Sequence, residues 1–385
     1  LFRAFNFVCR DEVISSLEKI KSKSSETELF HHDQLIFEAL KKIPFKDIRF
    51  EKILTKVRKY MCVHIAKDTK KINRSDLQFI IALGEQCFLN EYIYSISKEE
   101  NISIQKIIRE SRDGKLNETN ISILSCYFPL YKLLDQIPSL KSFNSSNEGL
   151  KELMILQIVE PLKEIELSKS IKILGLVNDS ISQKVKSQYE ENPYPRWRYG
   201  NTFKEKNSSI TQAINNEIRP NLINSDSDNG QLKVLIAGCG TGNQILQTQR
   251  FKNAQVTAID LSSSSLSYAK RKINELEINN VELIQMDILE VDLLEDKFDV
   301  IECSGVLHHM DNPSKGLQAL LGILKENGFL KLGLYSELAR LDIVKARKYI
   351  STRNLQTNDE NIRRFREDVF SGKIKEITNL RNSTD

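Results

Sequence analysis

The pattern of apolar residues changes near the middle of the chain. In the first part, apolar residues recur at spacings of three and four, as in Ile53, Val57, Tyr60 and Met61. This spacing places apolar side chains on one face of a helix and predicts amphipathic helices that pack together. We therefore predict an all-helical N-terminal domain over residues 1–175.

Beyond residue 230, short apolar runs alternate with helical patterns. The runs cover residues 234–237, 255–259, 281–286, 298–302 and 329–335. Runs of this length, separated mostly by helices, are typical of the strands of a parallel sheet with right-handed crossovers. The sequence thus predicts a second domain of the α/β class over residues 231–385.

The end of this second domain has fewer strands than its beginning predicts. Between Ser336 and Asp385, apolar residues such as Leu338 and Leu341 suit a helix, and no strand pattern follows. Either the domain is C-terminally incomplete or the sheet edge is completed differently, and an exposed edge strand favours association. The chain also begins with Leu1 rather than Met, as expected of a fragment or a processed chain.

A glycine-rich loop follows the first predicted strand. It contains Gly238, Gly240 and Gly242, and a helical pattern begins at Asn243. Glycines let the backbone turn sharply and let a ligand approach it closely, while a helix start offers unpaired N–H groups. This order predicts a nucleotide-binding βα unit. A dinucleotide site requires another small residue at the position of Asn243, so a nicotinamide-dependent oxidoreductase is disfavoured.

Acidic residues end the next two predicted strands. Asp260 follows the run at 255–259, and Asp287 follows the run at 281–286. A carboxylate at the end of the second strand is placed to accept hydrogen bonds from ribose hydroxyls. Two other interpretations stay open, in which Asp260 is a turn or helix-capping residue and Asp287 is a surface acid.

These features together resemble the class I S-adenosylmethionine-dependent methyltransferases. The resemblance covers about Lys233 to Ser336, and it includes the glycine loop, Asp260, the Met286–Asp287 pair and the segment GVLHHMDNP at 305–313. It implies a Rossmann-like class I methyltransferase domain, preceded here by an all-α helical domain. It also implies S-adenosyl-L-methionine as the cofactor.

The resemblance further implies a set of cofactor-binding residues. They are Gly238, Cys239, Gly240, Gly242, Asp260, Leu261, Met286, Asp287, Ile288 and Cys303. The glycines would pack against the methionine part, Asp260 would hold the ribose diol, and Asp287 would accept from the adenine amino group. Leu261 and Ile288 would cover the ring faces. Cys303 would border the sulfonium, although both cysteines also suit a role as small packing residues.

One position departs from the family pattern. The family usually has an acid two residues before the first glycine, where this chain has Ile236. That acid helps to orient the cofactor's amino group. The corresponding contact must therefore come from another residue.

The residues after the fourth strand include a pair of histidines. His308 is our candidate for a general base, which is needed if the methyl acceptor is a hydroxyl or an ammonium group. The alternative is that His308 and His309 are polar residues that open a helix. The sequence predicts no metal site.

Residues 176–230 are predicted to be a lid or linker segment. The part VKSQYEENPYPRWR, at residues 185–198, contains two prolines that flank Tyr194 and the only tryptophan, Trp197. In the resembled group the segment before the first strand often covers the pocket. Tyr189, Tyr194 and Trp197 would then stack on a substrate or form a cation–π wall near the sulfonium. The alternative is a hydrophobic plug between two domains.

Two helical segments carry a further resemblance. Residues 76–92 and 127–130 look like parts of a bacterial group in which a TPR-associated helical region precedes a methyltransferase domain. A search for a 34-residue repeat established none. Packing of core helices explains most of these residues equally well.

Composition narrows the possible partners and the compartment. A formal net charge of +4 on 385 residues is nearly balanced and predicts no nucleic-acid partner. The six cysteines are far apart and form no CxxC pair, so neither disulfides nor zinc are expected and a reducing cytoplasm fits best. No apolar run approaches the roughly 18 residues that span a bilayer, so no membrane contact is expected.

We therefore expect a cytoplasmic S-adenosylmethionine-dependent methyltransferase with an unidentified acceptor, a small molecule. One alternative is a protein methyltransferase whose helical domain holds the substrate. Another is a non-catalytic scaffold that binds the cofactor or a partner. The intact glycine loop and the two strand-end acids argue against a degenerate scaffold.

Overall fold

The computed structural model describes residues 34–45, 48–67, 72–200, 208–224, 230–356, 358–378 and 380. These residues form two compact units. One contains the described residues up to Pro161 and from Glu337 onward, and the other contains Leu162–Ser336. The first 33 residues of the predicted helical domain, including Cys9, lie outside the described residues.

The first unit is helical, as the apolar spacing predicts. Before Pro161 its α-helices are α1 (Gln34–Lys42), α2 (Ile48–Lys67), α3 (Arg74–Leu89), α4 (Lys98–Glu110), α5 (Glu118–Leu124), α6 (Glu148–Met154) and the start of α7 (Glu160–Ser168). Helix α3 is central, because its residues from Phe79 to Leu89 are all buried. Helix α4 begins with a capping box, in which the Ser97 hydroxyl accepts the Glu100 N–H and the Glu100 carboxylate accepts the Ser97 N–H.

A buried ion pair joins α2 to α4. The guanidinium Nη2 of Arg58 lies 3.1 Å from Glu100 Oε1, and both side chains are 1% exposed. The Tyr127 hydroxyl donates to the same carboxylate oxygen at 2.8 Å. The Tyr127 ring also lies 4.4 Å from the Arg58 guanidinium carbon. Burial of two charges is tolerated here because each charge has several partners.

The C-terminal residues of the first unit are also helical. Helix α13 spans Leu341–Thr352 and α14 spans Asp359–Phe370. Arg366 on α14 forms a 2.7 Å ion pair with Glu51, and Arg363 donates to the Tyr92 carbonyl at 3.1 Å. The described residues after Gly333 form no strand. The two compact units thus differ from the predicted boundaries, which placed residues 337–385 with the α/β domain.

The second unit is built on a six-stranded sheet. Its strands are β1 (Lys172–Ile173), β2 (Leu232–Ala237), β3 (Ala254–Asp260), β4 (Val281–Gln285), β5 (Phe298–Ser304) and β6 (Leu324–Gly333). They lie in the order β1-β4-β3-β2-β5-β6, and every pair is parallel. The predicted Rossmann-like α/β fold is confirmed.

Two strands differ from the sequence prediction. Strand β1 lies in the segment that the sequence predicts to be helical, and its two residues are exposed and too few to show a strand pattern. Strand β6 begins at Leu324 rather than at residue 329. Its first residues include Lys325, Glu326 and Asn327, so they extend no apolar run, and the pairing of β5 with β6 has a register irregularity between Phe298 and Val300.

Helices cover both faces of the sheet. They are α8 (Ser180–Glu191), α9 (Ile210–Glu217), α10 (Asn243–Thr248), α11 (Ser263–Glu275) and α12 (Pro313–Gly322), with the end of α7. Alternate residues of β2 enter different cores, since Val234 and Ile236 belong to one cluster and Leu235 and Ala237 to the other. Burial on both faces explains why the central strands read as continuous apolar runs. None of the described helices is long and apolar enough to cross a membrane.

Candidate functional site

The glycine loop connects β2 to α10 and requires glycine at two positions. Gly238 has φ of +79°, and a Cβ there would lie 2.3 Å from a methyl of Val306. Gly242 has φ of +87°, and a Cβ there would lie 2.8 Å from the Ala269 Cβ. The loop is held by the N–H groups of Gly238 and Cys239, which both donate to the Ile259 carbonyl at 2.9 Å. Side chains at Gly238 and Gly242 would therefore collide with Val306 and with α11.

A cavity of about 330 Å³ opens above this loop, at the carboxyl ends of the central strands. It is lined by Ser182, Val185, Tyr189, Tyr194, Pro195, Gly238, Cys239, Gly240, Thr241, Asn243, Gln244, Ile259, Asp260, Leu261, Met286, Asp287, Ile288, Ser304, Gly305, Val306, His309, Met310 and Tyr335. Open parallel sheets bind ligands at this edge. Most of the predicted cofactor residues are thus brought together.

Asp260 ends β3 and faces both the cavity and the loop. Its Oδ2 accepts the Gly240 N–H at 2.8 Å, and its Oδ1 accepts the Ser262 N–H at 2.9 Å. Burial raises the pKa of this carboxyl, the two N–H donors oppose the rise, and the negative charge of Glu190 adds to it. Asp260 therefore has the local capping role and also lines the cavity.

Asp287 follows β4 and is buried, so it is not a surface acid. It is 4% exposed, and its Oδ1 accepts the Leu289 N–H at 3.0 Å. Three apolar residues line the cavity near the two acids, namely Leu261, Met286 and Ile288. Two acids and three apolar side chains thus line the cavity together.

Two predicted cofactor residues lie outside the cavity lining. Gly242 faces α11, as described above. Cys303 is 1% exposed within the core on one side of the sheet, and burial raises the pKa of its thiol to about 12. Cys239 does line the cavity, and burial raises its thiol pKa well above the usual range. Both thiols are therefore protonated and suit packing better than chemistry.

Residues 180–198, hereafter the covering segment, contact the glycine loop directly. The Thr241 hydroxyl donates to the Pro195 carbonyl at 2.6 Å, and the Trp197 indole N–H donates to the Thr241 carbonyl at 3.0 Å. Of the three predicted aromatic residues, Tyr189 and Tyr194 line the cavity. Trp197 instead packs edge-on against Tyr268, with ring centroids 6.3 Å apart. Trp197 thus anchors the segment and does not border the cavity.

The covering segment has a second anchor, at Glu190, which no sequence pattern indicates. The Glu190 carboxylate accepts the N–H groups of Ser263 and Ser264 at 2.7 and 3.0 Å, and the Ser264 hydroxyl at 2.6 Å. Ser262 caps the same helix by accepting the Ser265 N–H. The first donors of α11 are therefore satisfied by a side chain that comes from α8. No local pattern connects these positions, which are about seventy residues apart.

The histidine pair is oriented differently from the prediction. His308 stacks on Tyr335 with ring centroids 3.9 Å apart, and both of its ring nitrogens are buried. His309 and Tyr335 line the cavity, whereas His308 does not. A general base must reach its proton, so His308 is the poorer candidate and His309 the better one. Tyr189 also lines the cavity, where burial raises its pKa and the Asp260 carboxylate adds to the rise.

No cluster of three or more metal-ligating side chains occurs among the described residues. The chemistry of the cavity lining is thus that of carboxylates, amides, phenols, one imidazole and exposed backbone groups. Such a lining can bind a ligand with several hydroxyl and amino donors and a flat apolar part.

Comparisons with known proteins agree with this chemistry. Residues 228–379 match the family model described as a methyltransferase domain. An uncharacterised protein of Synechococcus is 29% identical over 189 residues, which cover 45% of this chain and 42% of that protein. A ubiquinone biosynthesis O-methyltransferase of Glaesserella parasuis is 31% identical over 131 residues, covering 32% of this chain and 55% of that enzyme. The chain thus spans about half the length of these relatives.

A solved structure with some likeness is that of PKMT2 from Rickettsia typhi in complex with AdoHcy. It has 26% identity and a TM-score of 0.31, with coverage of 37% of this chain and 28% of that one. The match at residues 228–379 supports a class I domain whose cofactor is S-adenosylmethionine. It does not reach the helical segments at 76–92 and 127–130, so their resemblance to a TPR-associated group stays a prediction.

Proposed function

From the methyltransferase domain at residues 228–379, we propose that the chain transfers a methyl group from S-adenosylmethionine to a hydroxyl group of a small molecule. The main support for this proposal is that Asp260, Asp287 and the glycine loop line one cavity. A hydroxyl acceptor is supported by His309 in the same cavity. It is also supported by the relatives named as O-methyltransferases.

The cavity residues fit the proposed cofactor. An ionised carboxylate has about four acceptor positions, and the two backbone donors at Asp260 occupy two of them. The remaining positions suit the two ribose hydroxyls. Asp287 is placed to accept from the adenine amino group, and Leu261 and Ile288 to cover the ring. When bound, S-adenosylmethionine supplies an electrophilic methyl group on a sulfonium.

The protein's own part in the reaction is binding, orientation and proton removal. His309 would take the proton from the acceptor hydroxyl. The hydroxyl oxygen would then bond to the methyl carbon as the carbon–sulfur bond breaks, which would leave S-adenosylhomocysteine. Tyr189 keeps its phenolic proton because its pKa is raised, so it can donate a hydrogen bond to the acceptor. Alignment of the oxygen with the sulfonium supplies most of the rate increase that we expect.

Calorimetric titration with S-adenosylhomocysteine, with NAD as a competitor, tests the cofactor assignment. We expect micromolar binding that is insensitive to NAD and is abolished by Asp260→Ala. Absence of binding by the folded full-length chain would instead support the non-catalytic scaffold.

A labelled-methyl assay then tests the acceptor. Phenols and other small hydroxyl compounds, small amines and proteins are offered in parallel to the same preparation. Transfer to a small hydroxyl compound supports the proposal. Transfer to proteins alone would favour the protein methyltransferase alternative, and transfer to amines alone would refute the hydroxyl acceptor.

A further inference from the structure

Under the proposed function, on which this inference rests, the cofactor's ammonium group needs an acceptor in place of the missing acid. Ile236 occupies the position where the resembled family has that acid. It is fully buried in β2 within the core on one side of the sheet. The isoleucine side chain has no polar atom that could accept a hydrogen bond from the cofactor's ammonium group. A different acceptor is therefore needed.

Gln244, in the first turn of α10, lines the cavity. Its Nε2 donates to the Ser304 carbonyl at 3.4 Å. Its Oε1 is buried and accepts no hydrogen bond from any residue that the structure describes. The orientation of the Gln244 amide follows from its neighbour. The Ser304 carbonyl can only accept a hydrogen bond, so the NH₂ group of the amide must face it. The oxygen is therefore the end that is left for a ligand.

The order of the strands indicates which ligand group meets this oxygen. Along the sheet edge, Asp287 follows β4, Asp260 ends β3, the glycine loop follows β2 and Ser304 ends β5, in the spatial order β4-β3-β2-β5. A ligand with its adenine at Asp287 and its ribose at Asp260 places its methionine part toward β2 and β5. Gln244 lies at that end, since its amide contacts Ser304. The donor there is the α-ammonium group.

We propose that Gln244 Oε1 accepts a hydrogen bond from the α-ammonium group of the cofactor. Gln244 thereby takes over the contact that the acid makes in the resembled family. A buried acceptor without a donor is unfavourable, and a hydrogen bond from a charged donor is stronger than one from a neutral donor. The amide is neutral, so it makes this contact without placing another carboxylate beside Asp260.

Two ligands and two variants test this assignment. S-adenosylhomocysteine carries the α-ammonium group, whereas 5′-methylthioadenosine has the same adenine and ribose and lacks the amino-acid part. We expect Gln244→Met to weaken S-adenosylhomocysteine binding about tenfold or more and to change 5′-methylthioadenosine binding by less than about twofold. Gln247→Met, at an exposed position of the same helix, should change neither affinity.

The outcomes separate this assignment from the proposed function. An equal loss for both ligands would assign Gln244 a structural role and overturn the proposal, and so would unchanged binding of S-adenosylhomocysteine. Retained binding of 5′-methylthioadenosine shows that the variant has folded. If the wild-type chain bound neither ligand, the proposed function itself would be refuted, and the assignment with it.

Discussion

Replacement of Asp260 by asparagine should disturb the glycine loop even though the two side chains have the same shape. The two carboxylate oxygens accept one backbone N–H each, from Gly240 and Ser262. Asparagine has a single oxygen, so its NH₂ group must face one of these donors. The loss of a hydrogen bond to a charged acceptor costs about 1.5–3 kcal/mol, and a donor left unpaired adds to it. We expect Asp260→Asn to lower the free energy of unfolding by roughly 2–4 kcal/mol.

The same change should also weaken ligand binding. In the wild-type chain, the remaining acceptor positions of the carboxylate are available to the two ribose hydroxyls. The asparagine oxygen keeps one backbone donor and so can serve at most one hydroxyl. Loss of one charge-assisted hydrogen bond, about 1.5–3 kcal/mol, corresponds to a rise in Kd of about 10- to 150-fold.

Titration calorimetry with S-adenosylhomocysteine and urea unfolding measure these two effects separately. Asp292→Asn is the matched control, because Asp292 is exposed and lies outside the cavity lining. We expect the control to match the wild-type chain in both measurements. If Asp260→Asn bound S-adenosylhomocysteine within about threefold of the wild-type affinity, the assigned role of Asp260 would be refuted.

Three further changes test other parts of the structure. Glu190→Gln should shift to lower pH the range in which the affinity for S-adenosylhomocysteine is lost on acidification. The reason is that the Glu190 charge raises the Asp260 pKa, and the ionised carboxylate is the form that accepts ligand hydroxyls. An unshifted pH dependence in calorimetry would contradict this. Glu100→Gln should lower the free energy of unfolding in urea by about 3–5 kcal/mol, since it leaves the Arg58 charge buried without its partner, and a loss below about 1 kcal/mol would contradict this. His309→Ala should lower kcat by about 10²- to 10⁴-fold and leave the affinity for S-adenosylhomocysteine unchanged, whereas an unchanged kcat would exclude His309 as the base.

The strands that position the site were predictable because each central strand is buried on both faces. Val234 to Ala237 alternate between two cores, so every residue of that run must be apolar. Such a run is visible without an alignment. Strand β1 is different, since Lys172 and Ile173 are exposed and, among the described strands, pair with β4 alone. Its place at the sheet edge is decided by tertiary pairing with β4, for which two residues provide no signal.

Site residues were predictable where the chemistry is local in sequence. The glycine loop and the strand-end acids each follow an apolar run, so their position at the sheet edge follows from the strand prediction. Glu190 and Gln244 were missed because their partners come from distant segments. Glu190 contacts Ser263, and Gln244 contacts Ser304. For Gln244 the available signal was indirect, namely the absence of an acid at Ile236.

The sequence does not show which of two adjacent histidines faces the cavity. His308 and His309 lie in a short 3₁₀ turn, where adjacent side chains point in different directions. Packing of His308 on Tyr335 decides which ring faces the cavity. Tyr335 follows the end of β6, so this choice depends on a strand that is distant in sequence. The sequence alone does not show the contact between His308 and Tyr335, so it cannot distinguish the two histidines.

The covering segment and the cofactor site share the same structural supports. Thr241, which binds Pro195 and Trp197, lies between two glycines of the loop. Glu190 binds the start of α11, and the Asp260 carboxylate accepts the N–H of the residue that caps this helix. A ligand held by Asp260 and the loop therefore fixes the groups on which the covering segment rests. Binding that favours this arrangement stabilises the segment by mass action, so ligand affinity and order in the covering segment should change together.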